Sequence, residues 1–353
     1  MAGSGGFKGT DQAETTLQLH QVIELGGKRA ARTQVAVLEQ NLSGWDYEIK
    51  RMDVFTQISK AFTTVLSAQE RLLLMEEVLG IARQVVETVS ARVEAGKVSP
   101  VEETKVKVAL ASVEIKLERA KRALTVFRRH LAVAWGSSDP RFERVVGRLD
   151  SVSEIPSQET LMQTLSQNPE LARWAVEISN RQARVSVEKR KAIPDLTFSG
   201  GLRHLSKTDD DVFVVGLSFP LPLLNRNQGG TLEARHELAK AEEAQRAAEI
   251  RLNTALSAAY NTLAAARTEL KALNENVLPG AQSAFEAVNE GYRLGKFSLM
   301  DVLDAQRTIF DAKAHHLDVL TDYHLVLADL ERLVGTSMPS EPAGMDKKHA
   351  DMD

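Results

Sequence analysis

The chain of 353 residues contains no cysteine, so cysteine usage marks neither a redox compartment nor any thiol chemistry. Aromatics make up only 5% of it. No apolar run approaches the roughly 20 residues of a membrane-spanning helix. The opening segment, MAGSGGFKGTDQ, has no apolar core and therefore does not read as a secretory leader. Charge of one sign is also lacking: the net charge is −4 and the isoelectric point lies near 6.1, which gives no reason to expect a nucleic-acid partner. No nucleophile–base constellation, phosphate loop or zinc motif is present, which weighs against an enzyme and against a cofactor.

What is present is helix-forming sequence in long runs. Hydrophobic residues are 43% and charged residues 26%, with Ala, Leu, Glu, Lys, Arg and Gln dominating long stretches. From about Arg29 to Glu94 there is no proline and only Gly44 and Gly80. Apolar residues recur there at helical spacing, through Val54, Ile58, Ala61, Val65, Leu72, Met75, Val78, Leu79 and Ala82. A helix of that length runs on the order of 100 Å at 1.5 Å per residue, longer than a compact globule wants. It stops at Ala95-Gly96-Lys97. Ser99-Pro100-Val101-Glu102 then supplies an N-cap, a proline at the first helical position and a capping-box acid for the next helix. That helix reaches about Trp135, and residues 141–156 form an irregular connector.

Three segments alternate with a period of two. Thr15, Leu17, Leu19, Gln21 and Ile23 share one face of the first, which two glycines at Gly26-Gly27 release from sheet geometry. Leu196, Phe198, Gly200 and Leu202, then Phe213, Val215, Leu217 and Phe219, line one face of a β-hairpin around the polar loop Ser206–Asp210. Between strand and hairpin a helix over about 158–192 contains the junction Asn168-Pro169, where a short helix gives way to a longer one. After FPLPLLNRNQGG a second very long helix is expected from about Thr231 to Arg293, with Ala234, Leu238, Ala241, Ala244, Ala248 and Ala255 as a seam of small residues.

The pattern occurs twice. Gly96-Lys97-Val98-Ser99 and Gly295-Lys296-Phe297-Ser298 fall at the same place in two copies of strand, very long helix, Gly-Lys turn and capped shorter helix. Glu102 sits in the first copy where Asp301 sits in the second. The division read from this is 1–156 for a first repeat lacking its start, 157–338 for the second, and 339–353 for a disordered tail. Asp301 and Asp304 lie three residues apart on one face of the last helix. Ser298-x-x-Asp301 is also a capping box, so Asp301 has a local role as well as any other. His315 and His316, with Asp311 and Asp318 nearby, read as a solvated helix surface, because adjacent histidines point to different faces.

ELGGKR, PLPLLNRNQGG and GYRLGKFSLMDVLDAQ carry a resemblance over nearly the whole chain to the TolC family of outer-membrane efflux proteins, closest to its heavy-metal, CzcC-like branch. The resemblance implies an α+β fold of mainly long α-helices. Three chains would give four strands each to a closed twelve-stranded β-barrel, continued by an α-helical tunnel through the periplasm. The candidate lipid face is Leu17, Leu19, Phe198, Leu202, Phe213, Leu217 and Phe219. The fourth strand, and the leader, would lie upstream, making Met1 an internal methionine; the residues around Gly3–Gly9 would end that strand.

Residue by residue, the resemblance makes Asp301 and Asp304 the carboxylates of a periplasmic pore constriction. Tyr292 and its acidic partner Glu102 become gate contacts. Gly96, Lys97 and Ser99, with Gly295, Lys296 and Ser298, become turns that dock an adaptor. The chain departs at Phe297, where TolC itself carries an arginine, so a lock built on that arginine is absent. The implied partners are a homotrimer, outer-membrane lipid, a periplasmic adaptor and an inner-membrane resistance–nodulation–division (RND) pump. The implied function is a passive exit duct, for divalent metal cations in this branch. A duct for drugs or other small molecules, a periplasmic adaptor and a soluble coiled-coil scaffold are the alternatives. An adaptor should carry a lipoyl-like β-domain around one hairpin rather than two hairpins in tandem. Amphipathic strands at both repeat starts argue against a scaffold.

Overall fold

In the computed structural model, which describes residues 12–335, the protein is mostly helical with one small sheet. The residues about Gly3–Gly9 and the expected tail at 339–353 lie outside the described residues. The order is β1 (Glu14–Ile23), α1 (Lys28–Glu94), α2 (Pro100–Ala132), α3 (Gln158–Leu165), α4 (Pro169–Arg190), β2 (Leu196–Leu205), β3 (Asp210–Ser218), α5 (Gln228–Ala272), α6 (Leu278–Arg293) and α7 (Leu299–Val334). These agree with the sequence expectations to within a few residues, with one exception. The second long helix is interrupted by a π turn at Leu273–Val277, immediately before α6. Pro279 has no N–H to donate and its ring crowds the carbonyl four residues back, so a wider turn is inserted there.

The chain divides into two compact units, each drawing on both repeats. The first comprises residues 12–47 and 169–249 and holds the sheet. Its strand order is β1-β2-β3, antiparallel throughout. The register pairs Leu17 with Leu202 and Leu202 with Phe213, then Leu19 with Gly200 and Gly200 with Val215, then Gln21 with Phe198 and Phe198 with Leu217. Directly opposed residues share a face, so the alternation of three separate segments adds up to one apolar surface. Leu19 is 81% exposed on it and Phe213 86%. The other face is more polar, with Arg203 donating to Thr16 at 3.1 Å. Where β1 enters α1, Asp195 fixes the junction: it accepts from the Leu25 N–H at 3.1 Å and from Lys28 Nζ at 2.7 Å.

The second unit comprises residues 48–168 and 250–335. Here α1 and α7 run antiparallel, laced by Arg332–Asp53, Lys60–Asp329, Arg71–Asp318 and Lys313–Glu77. Partner numbers fall along α7 as they rise along α1. The five consecutive residues Val65 to Gln69 of α1 are all buried, so the helix is covered on every side at that level. The connector 141–156 supplies part of the cover. Gln69 treats it as a ladder strand, donating to the Val145 carbonyl at 3.0 Å and accepting the Val145 N–H at 2.8 Å. His324 bonds the Leu149 carbonyl at 2.7 Å and Tyr323 donates to that of Ser153 at 3.1 Å.

Candidate functional site

The candidate residues gather where the two helical hairpins turn. Both turns solve one problem, the unpaired carbonyls at a helix end, in the same way. Gly96 and Gly295 adopt left-handed φ values of +67° and +75°. Their N–H groups bond the carbonyls of Val93 and Tyr292, and the next residues, Lys97 and Lys296, reach back to Arg92 and Gly291. This is the Schellman arrangement, and the left-handed residue in it is almost free of strain only as glycine. Lys97 and Lys296 are exposed at the two tips.

The helices leaving the turns are capped differently. Ser298 and Asp301 form a complete capping box: the Asp301 carboxylate accepts from the Ser298 N–H at 2.8 Å and its hydroxyl at 2.7 Å, and the Asp301 N–H donates to Ser298 Oγ at 3.3 Å. The Ser298 hydroxyl, then its backbone N–H, hold the Asp301 carboxyl below its ordinary range. At the other tip Ser99 caps α2 through the Val101 N–H, with Pro100 first in the helix as expected. Glu102, expected to close a capping box there, does not. Its carboxylate turns to the other hairpin and accepts from the Tyr292 hydroxyl at 3.3 Å. An acid that finds a tyrosine hydroxyl beside it has less call to fold back on its own N-cap.

Tyr292 is the centre of the cluster. It is 3% exposed and packs with Val85 and Val89 of α1, Val106 of α2, and Leu299 and Val302 of α7, so one small core ties together both hairpins. Burial, then the Glu102 charge, push the phenol above its usual pKa. A residue that sequence reasoning missed completes the contact. The Arg92 guanidinium lies over the Tyr292 ring, 4.4 Å from its centroid, and donates to the Tyr292 carbonyl at 2.5 Å. Phe297 packs on the backbone of the same helix end. A Cβ on Gly291 would come within 2.3 Å of the Phe297 ring.

Asp301 and Asp304 sit on the exposed face of α7, whereas Val302 and Gln306 between and beyond them are buried. Arg307 joins the same face, at 3.9 Å from Asp304 and 4.0 Å from Asp311. That face of α7 therefore carries three carboxylates, of Asp301, Asp304 and Asp311, and one cation, Arg307. Further along α7, the histidines separate as adjacent helical residues must. His315 bonds Glu269 at 2.7 Å, but His316 is half-buried and its Nε2 has no partner, so the expectation of a solvated surface fails for it. Among the described residues, no group of three or more His, Cys, Asp or Glu could hold a metal ion. No described helix is long and apolar enough to cross a membrane.

The chain is similar to known proteins in sequence and in fold. Cobalt-zinc-cadmium resistance protein CzcC of Cupriavidus metallidurans is 37% identical over 321 residues, covering 91% of this chain and 77% of the relative. Nickel and cobalt resistance protein CnrC of the same organism is 27% identical over 75% of this chain and 62% of its own length. Among solved structures, that of CusC, a protein described as forming a transmembrane channel, superposes with a TM-score of 0.79 at 13% identity, over 93% of this chain and 84% of that one, a likeness of fold. Residues 3–137 and 160–336 match the family described as Outer membrane efflux protein, and the chain belongs to that family.

Proposed function

We propose that the protein is the outer-membrane channel of a tripartite RND-type efflux pump, a passive exit duct for divalent metal cations. One observation carries the reading: the sheet presents an aligned apolar face to the outside while β1 and β3 keep unpaired edges among the described residues. A strand edge left open invites pairing with another chain. Strands can cross lipid only when closure satisfies every edge. The strands have 10, 10 and 9 residues, the length a tilted transmembrane strand needs. Three chains with four strands each would close a twelve-stranded barrel. Leu17, Leu19, Phe198, Leu202, Phe213, Leu217 and Phe219 would then face lipid.

In such a trimer, α7 brings Asp301 and Asp304 to the tunnel end, where six carboxylates would attract cations and repel anions. The Tyr292 core, with Glu102 and Arg92, holds both hairpin tips together and so sets how far those carboxylates stand apart. The exposed turns at Gly96, Lys97 and Ser99, and at Gly295, Lys296 and Ser298, would receive a periplasmic adaptor, with the pump supplying the energy. Divalent metal as cargo is supported by the relatives named for cobalt, zinc, cadmium and nickel resistance.

The test is to express the whole reading frame in a Gram-negative host and fractionate its membranes. A heat-modifiable trimer in the outer membrane, raising resistance to zinc or cobalt when the cognate pump and adaptor are present, is the expected result. A soluble monomer that leaves resistance unchanged would overturn the reading.

A further inference from the structure

We propose that the segment Phe219–Leu224 is a lipid-binding foot, seated in the periplasm-facing phospholipid leaflet at the base of the barrel; the proposal rests on the barrel reading above. On β3 every second residue from Phe213 to Leu217 is apolar and exposed, and the series continues past the end of the strand through Phe219 to Leu221. The hydrogen-bonded sheet stops at Ser218, but the apolar surface does not. Leu221, Leu223 and Leu224 are exposed to 67%, 75% and 92%. This end of the sheet is where β1 and β3 hand over to α1 and α5, opposite the β2–β3 turn, and so it is the side from which the helices depart.

These leucines are not awaiting a place in the core. Pro222 lies inside a tight turn in which the Leu223 N–H donates to the Leu221 carbonyl at 2.9 Å. Arg226 Nε donates to the Pro222 carbonyl at 3.3 Å and Gln228 Nε2 to that of Leu224 at 3.1 Å. Asn227, in a left-handed conformation at φ +57°, anchors the loop to α4 through Nδ2 contacts with the Glu188 carbonyl at 2.9 Å and carboxylate at 2.7 Å. The backbone is held, and the side chains are held outward.

Two features select lipid over a second copy of the chain. Pro220 and Pro222 have no N–H to give, so the segment is a poor edge for another strand to join. From Val212 to Leu232 there is no carboxylate, and the single charged residue is Arg226, exposed beside the leucines. Apolar side chains followed by one cation match acyl chains followed by anionic phosphates.

The 353 residues contain no cysteine, so within them a single introduced cysteine is the one labelling site. The full-frame protein would carry a nitroxide at Leu224→Cys or, as a second position, Leu223→Cys, in vesicles of phosphatidylethanolamine and phosphatidylglycerol. Phe213→Cys reports the barrel face and Lys207→Cys, in the hairpin turn, reports water. Collision with oxygen is compared with collision with a water-soluble nickel chelate. The proposal requires both leucine positions to favour oxygen, with nickel collision severalfold below Lys207→Cys and a depth shallower than Phe213→Cys. If Phe213→Cys is lipid-like while both leucine positions are aqueous, or shielded from both reagents by protein, the foot is wrong and the barrel stands. If Phe213→Cys is aqueous as well, the barrel reading fails and the foot with it.

Discussion

Tyr292 and Asp301 show how much a single side chain can be asked to do in this protein. Tyr292→Phe keeps the ring under Arg92 and removes only the bond to Glu102. It should cost about 0.5–1.5 kcal/mol, the usual net worth of such a bond, read as a lowered denaturant midpoint. Arg92→Ala removes the cation above the ring, and a double-mutant cycle with Tyr292→Leu should return a coupling of about 0.5–1 kcal/mol. A coupling near zero would mean that the stacking is incidental. Tyr292 and Glu102 could be picked out from the sequence because each stands in a motif. Arg92 could not, because its partner is 200 residues away and nothing in the local pattern of a helix end distinguishes it.

Asp301 makes a prediction with a definite sign. Its folded pKa lies below the ordinary 3.8, through the Ser298 hydroxyl and N–H. The stabilisation is therefore complete above about 3.8 and is lost as pH falls through the lower folded value. In acid titrations of unfolding, Asp301→Asn should flatten the pH dependence below that point. A pH dependence that Asp301→Asn leaves unchanged would refute the assignment of the cap to Asp301. Ser298→Ala should lower stability by about 1 kcal/mol, as loss of an N-cap does.

At the scale of elements, the helix ends were the most legible part of the sequence. Gly96 and Gly295 announced left-handed stops, and Ser99 and Ser298 announced starts, because caps are written within four or five residues. Either glycine changed to alanine should cost about 1–2 kcal/mol through backbone strain alone, since a Cβ at each meets nothing within 4 Å. Gly291→Ala is different in kind. It should be more damaging, because of the Phe297 ring, and should be partly rescued by Phe297→Leu; thermal melts of the single and double variants decide this.

The strand alternation was equally readable, since a period of two gives the face directly, and the register then aligned three faces into one. The π turn at Leu273–Val277 was not, although Pro279 marked the place. A proline in a helix can kink, end or widen it, and packing on neighbouring helices chooses among these. The strap over α1 was hidden for the same reason as Arg92: Gln69 and Val145 meet only in three dimensions.

For the whole molecule, the duplicated pattern disclosed two hairpins but not how space is divided. The repeats follow one another along the chain, whereas each compact unit draws on both, because long helices pass from one unit to the other. The exposed apolar sheet face, with strand edges left open among the described residues, is what a lone chain leaves unsatisfied. The most direct test of the duct is single-channel recording from the full-frame protein in a planar bilayer under a salt gradient. The expected result is a cation-selective conductance whose reversal potential moves toward zero in Asp301→Asn/Asp304→Asn, with the conductance retained. A protein that inserts without conducting, or a selectivity indifferent to both aspartates, would contradict it.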